Sequence, residues 1–424
     1  MAIAETPVPP PAPPRGLTLR WVVLALVFLA GTLNYIDRQV LALIKPVLSQ
    51  EFGWNDQDFG HLASVFQFSA ALTFLYIGWL LDRFGLHRGY PLGVGVWSLA
   101  CAAHGLAVHM WHFMMARVVL AAGEAVQTPA SMKAIAEWFP AAQRSLAVGI
   151  INTSPNIGAI IAPLLVPAVV LAWGWRTAFI VTGALGLVWL LGWFALPRPR
   201  QREALPTPSE TPASEADAPL SVRALLAQRS SWALLIGKAL TDMVWWFLLF
   251  WAPDFMHRQF HLSIKTAGAP LAAIYGLAAV GALTGGLLPT FLMARGVSLN
   301  VARKGSMLLY ALIITPLPLV LQVSDPWLAV LFIGGALFAH QGFSTNLFTV
   351  AVDAFPGKGV GTVVSIGAFC GNISGMAMLE LTGWVLTHHN TYMPMFAISA
   401  SVYLIALAVL HGLVPRLRRL PGRA

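Results

Sequence analysis

EWFPAAQRSLAVGIINTSPN fills residues 137–156, and DAFPGKGVGTVVSIGAFCGN fills residues 353–372. Laid over each other without gaps, Glu137 meets Asp353, Phe139 meets Phe355, Pro140 meets Pro356 and Asn156 meets Asn372. Each copy leaves one long apolar run and enters the next. In each half of the chain it sits between the fourth run and the fifth. A chain whose halves match in this way is a parallel duplication, and counting the runs around the match gives the architecture.

The runs fall at roughly 20–44, 58–81, 90–108, 112–134, 145–171, 176–196, 232–256, 266–292, 304–322, 326–349, 360–386 and 392–414. A span needs ~20 apolar residues to cross a ~30 Å hydrocarbon core. Only 10% of the 424 residues are charged and 57% are hydrophobic, too little charge to cover a soluble surface. Helices satisfy their own backbone in lipid, so these runs are helices. The expected fold is an all-α polytopic membrane protein, with twelve transmembrane helices in two six-helix lobes. Residues 1–19 read as a disordered Pro-rich cytoplasmic tail and 20–196 as the N-terminal lobe. Residues 197–231, rich in Pro, Ser, Ala and charge, read as a cytoplasmic linker. Residues 232–415 form the C-terminal lobe, and 416–424 a basic cytoplasmic tail.

The net charge of +9 reports topology. Basic residues crowd alternate loops, and only Lys45, Arg176, Arg258 and Lys265 fall on the other side. That is the positive-inside pattern, with both termini cytoplasmic in a bacterial inner membrane. It argues against nucleic acid as a partner. Cys101 and Cys370 both lie within spans, so no disulfide framework or metal-ligand spacing exists.

The loop between the second and third runs reads GWLLDRFGLHRG, residues 78–89. It resembles the signature loop of the major facilitator superfamily. Gly78, Asp82, Arg83, Gly85 and Arg88 supply its pattern. Gly85 and Gly89 are expected to let helices approach, and Asp82 to cap a helix or pair across the lobe interface. Arg83 and Arg88 are expected at the cytoplasmic face.

The first run carries Asp37 beside Arg38, and the fourth carries Arg117 and Glu124, seven residues apart on one helix face. A charge at mid-bilayer costs at least ~2.5–3.5 kcal/mol and marks a functional site by default. Structural ion pairing is the plainer reading, but buried pairs are poor stabilisers. Two guanidinium forks match a carboxylate. Two carboxylates can take up and release protons, since burial and a neighbouring arginine pull their affinity in opposite directions. Such a site would move an anion with the proton gradient.

Polar groups suited to hydroxyls lie on nearby runs: Tyr35, Gln67, Asn152, Asn156, His340, Gln341, Ser344, Asn346 and Asn372. Pro155 interrupts the fifth run and is expected to free backbone groups. The glycines of GAFCGNISG recur every four residues, a pattern for close helix packing. On the seventh run Lys238 and Asp242 stand four apart and are expected to neutralise each other near the cytoplasmic end. Trp245, Trp246 and Trp251 read mainly as lipid or packing aromatics, with one facing the site to stack on a sugar ring as the alternative.

With NYIDR, RVVLAAGEA, KAIAEWFPAAQRSLAVGIIN and FAHQGFSTN in view, the chain resembles hexuronate transporters. These belong to the anion:cation symporter branch of the major facilitator superfamily, which also holds aldonate carriers and animal vesicular glutamate and sialic acid transporters. The resemblance spares only the N-terminal tail and the linker. It implies that Arg38 and Arg117 contact the substrate carboxylate and that Asp37 and Glu124 serve proton coupling. Asp37 is also an aldonate-carrier feature, and TSPN departs from the commonest fifth-run pattern. An aldonate or another organic anion therefore stays open as the substrate.

A membrane enzyme would need a catalytic constellation, and no metal cluster, nucleophile–base pair or phosphate loop is present in the sequence. A transport-derived sensor would add a signalling domain, for which the tails and linker are too short. The expectation is a monomeric proton-coupled hexuronate symporter with no cofactor beyond the proton. Its partners would be a small organic anion, the proton and the lipid bilayer.

Overall fold

The computed structural model describes residues 15–196, 222–354 and 357–416. The first half contains α1 (Arg15–Leu43), α2 (Lys45–Phe52), α3 (Asp56–Phe74), α4 (Ile77–Phe84), α5 (Leu86–His104), α6 (Met110–Glu124), α7 (Gln127–Trp138), α8 (Ala141–Ile151), α9 (Ser154–Trp173) and α10 (Trp175–Phe194). The second half contains α11 (Val222–Leu226), α12 (Arg229–Phe260), α13 (Gly268–Ala294), α14 (Leu299–Ile314), α15 (Pro326–Ala354), α16 (Gly357–His389) and α17 (Met393–Leu413). No strand occurs among the described residues.

Helices or broken helix pairs occupy all twelve segments read from the sequence. Nine helical segments among the described residues are long and apolar enough to cross a membrane, or ten if the pair α3–α4, bent by 55°, counts as one span. The third and fourth segments fall short because they hold polar groups. α5 opens on the polar run LHRG, and α6 and α7 carry Arg117, Glu124, Lys133 and Glu137. The resulting architecture is the two-lobed all-α membrane fold.

The halves pack on each other through α3 against α16 and α9 against α13, with α1 beside α12. Each of the first two pairs joins the second segment of one half to the fifth of the other. That exchange fits the duplication read from residues 137–156 and 353–372. Of the second copy, Phe355 and Pro356 lie outside the described residues.

Sequence breaks become helix breaks. α8 stops at Ile151 and α9 starts at Ser154, with Pro155 in its first turn, where its missing N–H costs nothing. The freed carbonyls of Ile150 and Ile151 accept the hydroxyls of Thr153 and Ser154, each at 2.7 Å. α6 and α7 part at Ala125 and Val126, directly after Glu124.

Three loop and linker expectations meet a different geometry. Gly85 has open space where a Cβ would stand and a φ of +72°, so it makes the turn instead of a close approach; Gly89 does pack, against Leu81. Gly78 also faces open space. Asp82 accepts from Lys133 at 2.8 Å, inside its own half instead of across the interface, because α7 runs beside α4. Arg83 lies against Trp79, and Arg88 is exposed. The described end of the 197–231 segment is helical, fixed by Ser231 and Trp232 donating to the carbonyls of Leu225 and Leu226. The tails before residue 15 and after 416 lie outside the described residues.

Backbones touch where glycine permits it. A Cβ on Gly281 of α13 would stand 2.1 Å from the carbonyl oxygen of Phe338 on α15. Gly281→Val should therefore destabilise the second half by ~1–3 kcal/mol through overpacking, measured as a lower melting temperature in detergent.

Candidate functional site

Arg38 and Glu124 meet at 2.6 Å, Nε to Oε2, joining α1 to α6. The Arg38 side chain is 11% exposed and that of Glu124 is not exposed at all. Tyr35, Phe66 and Trp246 surround the Arg38 guanidinium, with ring centroids 5.1, 5.2 and 5.5 Å away. Tyr35 and Phe66 belong to the first half and Trp246 to the second. The pair thus sits at the seam of the halves, in an aromatic collar that favours a cation over bulk lipid.

Arg117, one face along α6, is buried and lies over Phe66 at 5.2 Å and Phe250 at 5.8 Å. Its Nε and Nη2 have no hydrogen-bond partner in the protein, nor does Oε1 of Glu124. Buried donors are normally paired, so these are groups prepared for something else.

Asp37 points the other way. Adjacent helical residues diverge by ~100°. Its carboxylate accepts from the Cys101 thiol of α5 at 3.4 Å, and Cys101 also reaches the Thr182 hydroxyl of α10 at 3.2 Å. The Asp37 Oδ2 has no partner in the protein. Asp37 is therefore held among α5 and α10, behind the seam.

The hydroxyl-suited residues divide. Gln67 is fully buried on α3, and neither amide atom has a protein partner. Asn156 and Gln341 meet across the seam at 3.5 Å. His340 stacks on Trp245 at 5.2 Å and bonds the Tyr403 hydroxyl at 2.7 Å. The Asn346 amide N–H groups donate to the carbonyls of Gly285 and Gly342, tying α15 to α13, while its Oδ1 has no partner in the protein; Asn372 donates to the carbonyl of Ala368 in its own helix. Asn152 stands in the α8–α9 break with an exposed side chain, apart from the buried group. Trp245, Trp246 and Trp251 of α12 are buried, not lipid-facing: Trp246 touches Arg38, Trp245 stacks on His340, and Trp251 covers Lys45 at 4.4 Å.

A second charge cluster, buried except for Arg258, escapes a reading of the sequence alone. Lys45 donates to Asp56 at 2.6 Å and to Asp254 at 2.7 Å. Arg258 reaches the same two carboxylates, and Tyr392 donates to Asp254. Two cations and two anions neutralise each other across the halves. A signal existed: few charges lie on that side of the chain, and these four balance. Around them Phe59 packs edge-on against Trp251, the Gln57 amide reaches Thr387, and Gly60 meets Gly383. The halves are sealed at this end. At the opposite end α4, α7 and α8 pack against helices of their own half.

Two interleaved lobes, sealed at one end, with opposite charges buried at their seam, define a carrier. Residues 27–379 match the family model described as Major Facilitator Superfamily, and the chain belongs to that family. It is a multi-pass membrane transporter and not an enzyme. The chain is 30% identical over 405 residues to the hexuronate transporter of Escherichia coli (strain K12), covering 92% of this chain and 93% of the relative. It is 29% identical over 398 residues to the probable L-galactonate transporter of the same organism, covering 90% and 88%. It superposes with a TM-score of 0.73 on a bacterial homologue of the human lysosomal transporter Spinster, at 20% identity, over 96% of this chain and 99% of that one, a likeness of fold.

Removing one partner of a buried pair costs ~3–5 kcal/mol, whereas removing both sides together is often neutral. Lys45→Met should open the sealed end and raise labelling of a cysteine placed at Ser64 by a reagent applied from that side. The quadruple variant Lys45→Met, Asp56→Leu, Asp254→Leu, Arg258→Met, which removes both cations and both anions, should reseal it in part.

Proposed function

We propose that this protein is a proton-coupled symporter importing hexuronates such as glucuronate and galacturonate by alternating access. The observation that carries the reading is the unequal use of the two arginines. Arg38 spends its Nε on Glu124, while buried Arg117 keeps two N–H edges unused. A substrate carboxylate entering the seam finds the Arg117 fork ready. Relatives named for hexuronate and galactonate transport, at about 30% identity over nine-tenths of the chain, support a sugar-acid substrate.

Coupling follows from competition for Arg38. The Glu124 carboxylate and the substrate carboxylate want the same guanidinium. A proton on Glu124 weakens its hold, freeing Arg38 for the anion. Substrate and proton then share the site and stabilise one arrangement of the lobes. Once the proton leaves, Glu124 reclaims Arg38 and displaces the anion. Asp37, held by the Cys101 thiol away from the anion, is the second titrating acid and acts through the packing of α1 on α5 and α10. With the termini in the cytoplasm of a bacterial inner membrane, the Lys45 seal faces outward and the structure is the inward-facing state. The acid at position 37 and the galactonate-carrier relative favour an aldonate as the second reading of the substrate.

The test is uptake of labelled glucuronate into proteoliposomes, with and without an imposed proton gradient. Uptake indifferent to the gradient refutes symport. Arg117→Lys should lose most transport at low substrate, because a point charge does not replace a planar fork. Wild-type uptake by that variant removes Arg117 from the clamp.

Glu124→Gln mimics a permanently protonated acid. It should bind substrate and exchange it in counterflow but fail to accumulate it against a gradient. Asp37→Asn should show the same split less sharply. If both accumulate like wild type, neither acid couples the cycle.

A further inference from the structure

One buried charge pair plays no part in this scheme. Lys238 donates to Asp242 at 2.7 Å on α12, with side chains 8% and 15% exposed. The sequence reading placed the pair near the end of its helix. In the structure α12 runs from Arg229 to Phe260, so Asp242 stands in its middle third.

Its surroundings point inward. Asp242 is one helical turn from Trp246, so the two share a face. Trp246 touches Arg38 of the other half. The Asp242 carboxylate also lies in electrostatic range of the Tyr35 hydroxyl, which Arg38 and Glu124 act on as well. On α16 the Asp242 carboxylate packs directly on Gly371, where a Cβ would stand 2.2 Å from Oδ2. The Lys238 ammonium rests over the Phe348 ring at 4.3 Å. The pair therefore lies on the α12 face that carries Trp246, the residue by which this half touches Arg38.

We propose that Lys238 and Asp242 form a subsite for the hydroxyl end of the substrate, and that its neutrality selects sugar acids carrying one carboxylate over diacids. The assignment rests on the sugar-acid reading above. An ammonium donates to hydroxyl oxygens, and a carboxylate accepts from hydroxyl hydrogens. Together they match a neutral polyhydroxyl surface. A second carboxylate brought here would meet Asp242 and be repelled. Lys238 alone would attract it.

The test is competition of glucuronate, a monoacid, and glucarate, the corresponding diacid, for labelled glucuronate bound to the full-length purified carrier. Wild type should prefer glucuronate. Asp242→Asn leaves Lys238 uncompensated and should move the glucuronate-to-glucarate affinity ratio at least tenfold toward the diacid. The double variant Lys238→Gln, Asp242→Asn guards against a purely structural role. A pair that only locks helices is removed at little cost when both charges go, so wild-type affinity would return and overturn the assignment. A subsite predicts instead a folded protein with weak glucuronate binding and no gain for glucarate. An unchanged ratio in Asp242→Asn also overturns it, as does a wild type that prefers the diacid. A wild type that binds neither sugar acid removes the sugar-acid reading itself. Sugar-acid binding with an unmoved ratio removes only the subsite.

Discussion

Arg38 and Glu124 are held together in a place where neither could stand alone. Little of either side chain is exposed, and a lone buried charge there would cost several kcal/mol. Each must therefore have a partner in every state the protein visits. In the proposed cycle, an anion that takes Arg38 leaves Glu124 uncompensated, and a proton resolves that. The aromatic collar of Tyr35, Phe66 and Trp246 enforces the rule by keeping solvent from shielding the charges.

The same rule holds at the sealed end. Lys45, Asp56, Asp254 and Arg258 neutralise each other only while the halves touch. When the halves part there, water must enter to solvate them. The two charge clusters thus answer different questions. The one at the seam lies where the proposed substrate would bind, and the one at the end ties one half to the other. Gly60 and Gly383 bring the backbones close enough for the second cluster to form.

Much of this was legible in the residues. Apolar runs marked the helices, and the matched stretches at 137–156 and 353–372 marked the duplication into two lobes, but not which helices pair between them. Asp37, Arg38, Arg117 and Glu124 stood out because lipid makes charge conspicuous. The partners of those charges were not legible, since a partner is fixed by three-dimensional packing. Nothing in the sequence sends Asp37 to Cys101 while sending Arg38 to Glu124. Lys45 and Arg258 sat close to span ends, where charge is ordinary, and so looked like loop residues. Asp82 misled for a related reason: its motif gave the residue, but the neighbour that pairs with it, Lys133, depends on how α7 lies beside α4. Asn346 and Asn372 were polar where polarity is rare, yet backbone carbonyls take up their amides.

The sealed end also makes the carrier's resting orientation a function of heat. Hydration of ions becomes less favourable as temperature rises, so the desolvation that opposes a buried ion pair shrinks. The four-charge cluster across the halves gains on its solvated, separated form with every degree of warming. A cell growing warm would therefore hold more of its carriers shut at that face than the same cell growing cold, with no change in substrate or proton supply.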